Sequence, residues 1–128
     1  MLKRLWSANR GAAAMEFALV APLFFLCLFG LVEFGRLTWI RLSLQHAADQ
    51  ASRYVLTHAD ASTGQVAAVA RDAVSGVASN LVTVNVTQET SGGTTFVVID
   101  VSFDFEPIVG GMLSYGPIPL LGRSRLPL

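Results

Sequence analysis

The sequence has very little cysteine and little charge, and both shortages disfavour whole classes of protein. Its 128 residues include one cysteine, Cys27, which can form neither an internal disulfide nor a thiolate metal cluster. Only 14% of the residues are charged, against roughly 25% in soluble domains. Nine basic residues balance nine acidic ones, so no net positive field exists to hold nucleic acid. The composition therefore speaks against disulfide scaffolds, zinc modules and nucleic-acid-binding domains, and the length allows one small domain.

A long apolar run is the most informative part of the chain. Residues 17–32 contain no charged side chain and would form a helix about 24 Å long. Extension back to Ala12 gives about 31 Å, enough to cross a hydrocarbon core of about 30 Å, but it includes Glu16. The sequence therefore predicts one membrane helix over residues 12–35.

The charges around this run predict its orientation. Lys3, Arg4 and Arg10 lie before residue 11, where no acidic residue occurs, whereas Glu16 and Glu33 lie at the ends of the run; this favours a cytoplasmic N-terminus. An ordinary secretory signal has small residues at a cleavage site after its apolar stretch. Here the small residues 11–14 come before the stretch, so we expect the helix to be retained and the later residues to lie outside.

Glu16 has two possible roles in such a helix. A carboxylate at mid-membrane costs roughly 2.5–3.5 kcal/mol on insertion scales. In one interpretation Glu16 marks the cytoplasmic interface and favours the positive end of the helix dipole. In the other, the chain is cut after Gly11, and Glu16 compensates the new α-amino group of Ala12 or that of a neighbouring subunit.

The residues around Gly11 carry a family resemblance. Gly11, the Glu16–Phe17 pair and the following apolar run resemble the class III-type signal of type IV pilins and pseudopilins. They are most similar to the TadE-like minor pseudopilins of the tight-adherence (Flp-type, type IVc) pilus system. Residues 30–36, GLVEFGR, resemble the G-x-x-E-x-G stretch of these proteins, and residues 47–54, AADQASRY, resemble their Ala-rich helix.

The resemblance implies a minor pseudopilin that takes part in assembly of a tight-adherence pilus. A prepilin peptidase would remove the basic leader, residues 1–11, by cutting between Gly11 and Ala12, while Glu16 and Phe17 would serve processing and assembly. Implied partners are the peptidase, the major Flp-type pilin, other pseudopilins, the pilus platform proteins and the lipid bilayer. The implied location is the bacterial inner membrane, with a periplasmic C-terminal domain, either within the pilus or at its base. The alternative is an uncleaved single-pass anchor for an envelope interaction protein.

Apolar spacing predicts how the helix continues beyond the membrane. Three- and four-residue steps over residues 36–58 predict an amphipathic extension that is continuous with the membrane helix. Its apolar positions are Leu37, Ile40, Leu44, Ala47, Ala51, Val55 and His58. Trp39, near the outer boundary, is either an interfacial anchor or an ordinary packing residue.

Residues 60–128 predict a small α+β domain. A turn at 60–64 leads into a second amphipathic helix over 65–81, and two strands at 81–87 and 95–105 form a hairpin around a loop at 89–94. In the second strand Val97, Ile99, Val101, Phe103 and Phe105 share the face expected to be buried. The Pro- and Gly-rich residues 107–128 are expected to be irregular apart from a short edge strand at 120–126. Their apolar residues either pack under the sheet or dock on a partner.

No side-chain pattern predicts catalysis or a cofactor. His46 and His58 lack acidic or cysteine neighbours at ligand spacing, which favours ordinary surface or core histidines. Asp100, Asp104 and Glu106 share a strand face but lack the glycine-turned loop of a calcium site, so we expect a solvated face. We therefore expect a protein without enzymatic activity.

Overall fold

The computed structural model describes residues 3–108 and 116–128, with side chains from residue 11 onward. Two helices precede a three-stranded antiparallel sheet, which confirms the predicted α+β class. The elements are α1 (Lys3–Thr57), α2 (Thr63–Ala73), a short 3-10 helix (Ser79–Leu81), β1 (Thr83–Ser91), β2 (Thr94–Phe105) and β3 (Ile118–Pro127). The chain divides into two compact units, here called the N-terminal unit (Met1–Phe34) and the C-terminal unit (Gly35–Leu128).

Helix α1 contributes to both units. It is helical from Lys3 to Thr57 and contains Pro22, whose missing N–H does not end the helix. The predicted continuity of the apolar run with the amphipathic extension is thus confirmed, and the helix begins at Lys3, within the segment that was predicted to be a leader. Length and composition allow α1 to cross a membrane within Gly11–Thr57.

The part of α1 in the C-terminal unit packs one face into the core. Ile40, Leu44, Ala47 and Ala51 are buried, as the three- and four-residue spacing predicts. His58 does not belong to this face, because α1 ends at Thr57 and the His58 side chain is exposed.

Helix α2 begins at Thr63, two residues before the predicted start at residue 65, and ends much earlier than predicted. Ser62 caps it with a capping box: its Oγ accepts a hydrogen bond from the Gln65 N–H, and its own N–H donates to Gln65 Oε1. The predicted continuation to residue 81 is wrong. Val74 is extended and Gly76 has a φ of +83°, so the chain leaves the helix after Ala73. Leu81, the last residue of the predicted amphipathic helix, is 59% exposed.

The sheet buries the face that alternation predicts. Strand order is β1-β2-β3, both pairs antiparallel, with Ile99 opposite Val86 on one side and Ser124 on the other. Val97, Ile99, Val101 and Phe105 are buried, and Phe103 packs partly buried against the same core.

The hairpin turn is shorter than predicted. Pairing extends through Ser91 and Thr94, so the expected six-residue loop at 89–94 is wrong. Gly92 and Gly93 alone form the turn, with φ of +61° and +83°. Two consecutive positive φ angles are those of a type I′ hairpin turn, whose twist matches the strands and for which glycine is favoured.

Strand β3 shows how part of the Pro- and Gly-rich segment, residues 107–128, packs. It covers Ile118–Pro127, more than the predicted 120–126, and buries Leu120 and Leu126 against the core. It accommodates Pro119 because an edge strand has one side without ladder hydrogen bonds. The apolar residues Val109, Met112 and Leu113 lie outside the described residues.

Candidate processing and assembly segment

The predicted processing residues lie on α1 in the N-terminal unit. Gly11, Ala12, Glu16 and Phe17 are all helical and exposed. A Cβ built on Gly11 would meet nothing within 4 Å. Glycine is therefore not required at position 11 by packing, and it lowers helix propensity by about 1 kcal/mol relative to alanine.

Glu16 and Phe17 have no packing role within this unit. Phe17 is 72% exposed, and Glu16 has no hydrogen bond or ion pair with the side chains that the structure describes. Within the described chain, the Glu16 charge is therefore compensated by no basic side chain. A carboxylate placed this way at a membrane needs either water or a cation from elsewhere.

The apolar run presents its side chains outward all along the helix. None of its residues is buried, and Cys27 is a free thiol on the same exposed surface. Phe25 contacts two other rings, Phe24 at 5.7 Å in an edge arrangement and Phe29 at 6.5 Å between centroids. An exposed apolar surface of this extent marks a site that contacts lipid or other apolar helices.

In the C-terminal unit, β3 is attached directly to α1. The Gln45 side chain donates from Nε2 to the Arg123 carbonyl at 3.0 Å, and its Oε1 accepts from the Arg123 N–H at 3.3 Å. A Cβ on the neighbouring Gly122 would overlap the Leu44 carbonyl. Sequence reasoning missed this contact because it joins residues 78 positions apart, for which spacing gives no signal.

The acidic face of β2 is occupied in part by an ion pair. Arg123 donates to both carboxylate oxygens of Asp100, at 2.6 and 2.8 Å, across directly opposed positions of β2 and β3. These hydrogen bonds are the main reason why the pKa of Asp100 lies below its ordinary value, with partial burial acting in the opposite direction. Within the described residues no three His, Cys, Asp or Glu side chains converge as they would around a metal ion.

A buried serine fixes the loop that follows α2. Ser43, only 7% exposed, accepts a hydrogen bond from the Ser75 N–H at 2.7 Å. Next to it, a Cβ on Gly76 would come within 3.1 Å of Trp39 Nε1, so the loop passes close to the indole. Trp39 itself remains 62% exposed. This loop was not predicted from the sequence, because the predicted α2 extended to residue 81.

The two histidines do not form a site. His58 stacks on Tyr54 with 4.2 Å between ring centroids, and its Nδ1 lies 2.9 Å from Thr57 Oγ1. His46 is exposed beside Trp39 and Leu42 in a shallow groove of about 190 Å³.

These features define a class of protein: a small α+β domain preceded by an apolar helix that can span a membrane. Residues 11–53 match the model of the family described as "TadE-like protein". The match covers 43 of the 128 residues and confirms the predicted resemblance to TadE-like proteins. This resemblance implies partners from a pilus system in general. No curated protein and no solved structure was found to match the chain.

Proposed function

We propose that the chain is a minor pseudopilin that a prepilin peptidase cuts between Gly11 and Ala12, and that the cut protein takes part in assembly of a tight-adherence pilus. The observation that carries this proposal is the position of Glu16. It lies five residues after Gly11, without a basic partner among the described side chains, and directly before an apolar run none of whose residues is buried.

Cleavage at Gly11 would supply the missing cation. The new α-amino group of Ala12 would lie one helical turn from the Glu16 carboxylate, in the same chain or in a neighbouring subunit. Compensation between the two groups lowers the free energy needed to bring each into an apolar helix bundle. The role is one of helix packing between subunits and requires no enzymatic activity of this chain.

Charge and apolar surface support a location for this role. Basic residues 3, 4 and 10 favour a cytoplasmic N-terminus, so the peptidase would cut on the cytoplasmic side of the inner membrane. The C-terminal unit would then lie in the periplasm. Further partners of the proposed protein are the major Flp-type pilin, other pseudopilins and the platform proteins.

The N-terminus of the membrane-extracted protein tests the proposal. A C-terminally tagged full chain is expressed with and without a prepilin peptidase and its first residue is determined. We expect a start at Ala12 only when the peptidase is present. An intact Met1 in both cases would contradict the proposal and favour an uncleaved single-pass anchor for an envelope interaction protein.

Gly11→Leu separates processing from folding. Because Gly11 has open space around it, a larger side chain there leaves the intramolecular packing unchanged. We expect this variant to remain uncut. Gly30→Leu is the matched control, since Gly30 is also helical and also has nothing within 4 Å. The control should be cut normally, and equal cutting of both variants would contradict a requirement for glycine at position 11.

A further inference from the structure

The two edges of the three-stranded sheet are protected to different extents. The order β1-β2-β3 makes β1 and β3 the edge strands. Along an antiparallel strand, the N–H and C=O groups of successive residues point alternately toward the neighbouring strand and away from it. The Leu128 N–H donates to the Thr95 carbonyl at 2.9 Å. Even-numbered residues at this end of the chain therefore face β2, and the odd-numbered residues of β3 face outward.

The outward edge of β3 is largely closed. Pro119 and Pro127 occupy outward positions, and proline has no N–H to offer there. At Arg123 both outward backbone groups are already bonded to the Gln45 side chain. Prolines and covering elements are common means of keeping an edge strand from pairing with another chain. Strand β3 therefore offers no continuous ladder to a further strand.

Strand β1, in contrast, has an open edge. The same alternation, carried across β2, directs the odd-numbered residues of β1 toward β2. Its outward N–H and C=O groups belong to Val84, Val86, Gln88 and Thr90, and they have no hydrogen-bond partner within residues 3–108 and 116–128. The strand contains no proline or lysine, and residues 87–91 are all exposed. Strand β1 thus lacks the usual features that keep an edge strand single.

The sequence of β1 is compatible with a second copy of itself. Antiparallel pairing of two β1 strands over their full length, residues 83–91, is centred on Thr87, which lies opposite Thr87 of the second copy. Glu89, the only charged residue of the strand, then lies opposite Asn85, whose side-chain amide can donate to the carboxylate. A shift that brought Glu89 opposite itself would place two like charges together, which is destabilising. The full-length register matches all the outward residues and avoids this repulsion.

The same pairing covers two core residues more completely. Val84 and Val86 pack against the core of the C-terminal unit but remain half-buried. In the full-length register, Val84 lies opposite Thr90 of the second copy and Val86 lies opposite Gln88, with all four side chains on the inner face of the joined sheet. Burial of this apolar surface adds to the backbone hydrogen bonds of the new ladder.

We propose that the C-terminal units of two copies of this chain associate through β1, antiparallel and around a two-fold axis at Thr87, so that their two sheets become one. The interface is isologous, because the same strand serves both copies and each contact away from the axis occurs twice. This inference goes beyond the proposed function. It requires neither cleavage at Gly11 nor a particular membrane position of the apolar helix.

Disulfide cross-linking of the full chain tests the register. Cys27→Ala removes the native thiol, and Thr87→Cys then places a new thiol next to its own counterpart. Residue 87 directs its backbone groups toward β2, so the two copies meet there as a non-hydrogen-bonded pair with Cα atoms about 4.5 Å apart, within disulfide range. We expect the detergent-solubilised variant to form a covalent dimer when it is oxidised with copper phenanthroline.

Glu89→Cys in the same background is the matched control. Position 89 lies on the same strand and the same face as Thr87 and is also exposed, but the two residues at position 89 would be about 13 Å apart in the full-length register. We expect at least about tenfold less covalent dimer than with Thr87→Cys. Equal cross-linking at positions 87 and 89 would indicate random collision and overturn the proposal.

Gln88→Pro provides a second, independent variant. The Gln88 N–H points outward, so proline there removes a donor from the proposed ladder without removing one from the pairing with β2. Added to Thr87→Cys, it should abolish the covalent dimer and leave the circular dichroism of the full chain unchanged. A dimer that persists with a folded Gln88→Pro variant would assign the association to another surface and overturn the proposal. If the proline variant does not fold, the comparison of positions 87 and 89 still decides.

The remaining outcomes are also decisive. Absence of a covalent dimer at position 87 in the purified chain would overturn the self-pairing. Cross-linking at position 87 only after addition of other pilus-system proteins would assign the edge to a different subunit and would also overturn it. A covalent dimer at position 87 in a chain that the peptidase never cuts would support the pairing and contradict only the proposed processing.

Discussion

Gly122 of β3 lies directly against the backbone carbonyl of Leu44 in α1, so closely that no Cβ fits between them. A Cβ on Gly122 would meet backbone atoms of Leu44 and Gln45, and backbone atoms cannot move aside as a flexible side chain can. The close approach also brings Arg123 within reach of Gln45, whose amide pairs with both backbone groups of that residue. One glycine thus determines how the last strand docks on the first helix of the C-terminal unit.

Gly122→Ala should strongly destabilise the C-terminal unit. The added methyl group forces β3 away from α1, and we expect a loss of about 3 kcal/mol, at the upper end of overpacking effects. Thermal unfolding of the full chain in detergent, followed by circular dichroism, should show a Tm decrease of more than about 10 °C. Gly64→Ala is the control, because its Cβ would meet only Ser62 Oγ at 3.9 Å. A Tm for Gly122→Ala equal to that of the control would contradict the close approach.

Ser43→Ala should loosen the loop after α2. The substitution removes the acceptor of the Ser75 N–H and should lower the free energy of unfolding by about 1 kcal/mol. Ser52→Ala is a matched control, since Ser52 is equally buried but donates only to the Ala48 carbonyl of its own helix. We expect the control to change stability by less than about 0.5 kcal/mol. Hydrogen exchange should show faster exchange of the Ser75 amide in Ser43→Ala alone.

The Asp100–Arg123 ion pair predicts a pH dependence of stability. The pKa of Asp100 is lowered in the folded protein, so its contribution is present above the unfolded pKa of about 3.9 and is lost as the pH falls through the folded value. Asp100→Asn should therefore be less stable than the parent at neutral pH, and the difference should shrink below about pH 4. Urea unfolding of the parent and of Asp100→Asn as a function of pH measures this difference in the free energy of unfolding.

The control for this pair lies on the same strand. Asp104 is exposed and has no ion pair with the described residues, so Asp104→Asn should leave the pH profile unchanged. A difference between Asp100→Asn and the parent that persists undiminished at acid pH would show that the carboxylate acts through packing rather than charge.

Glu16→Gln should allow cleavage and impair pilus assembly. The substitution keeps the size and polarity of the side chain but removes the charge that is proposed to compensate the Ala12 amine. N-terminal sequencing should still give Ala12 in the presence of the peptidase, whereas surface pili should decrease strongly. Glu89→Gln, an exposed position in β1, is the control for loss of one carboxylate. Normal piliation of Glu16→Gln would contradict the compensation.

Local patterns predicted most of the fold. Apolar spacing identified the buried face of α1, strict alternation identified the buried face of β2, and the turn predicted at 60–64 located the start of α2 to within two residues. These signals depend on neighbours within one helical turn or two strand positions. They failed at the end of α2, which was predicted at residue 81, whereas the chain leaves the helix after Ala73.

Contacts between distant residues left no such signal. The pairing of Gln45 with Arg123 and the fit of Gly122 against Leu44 depend on how separate elements meet. The candidate site could be proposed from the sequence alone, because Gly11, Glu16 and Phe17 lie within seven residues of one helix and carry a family pattern, and its role stays a prediction. The structure adds that these three residues are exposed.

The contact between α1 and β3 also determines when the C-terminal unit can complete its packing during synthesis. The buried face of α1 is made early, but its partner strand is among the last parts of the C-terminal unit to leave the ribosome. The hydrogen bonds of Gln45 to Arg123 cannot form until β3 has been synthesised, and one side of the core remains uncovered until then. A chain interrupted before β3 would retain its apolar helix yet expose the apolar faces of α1 and β2, which distinguishes an incomplete chain from a finished one.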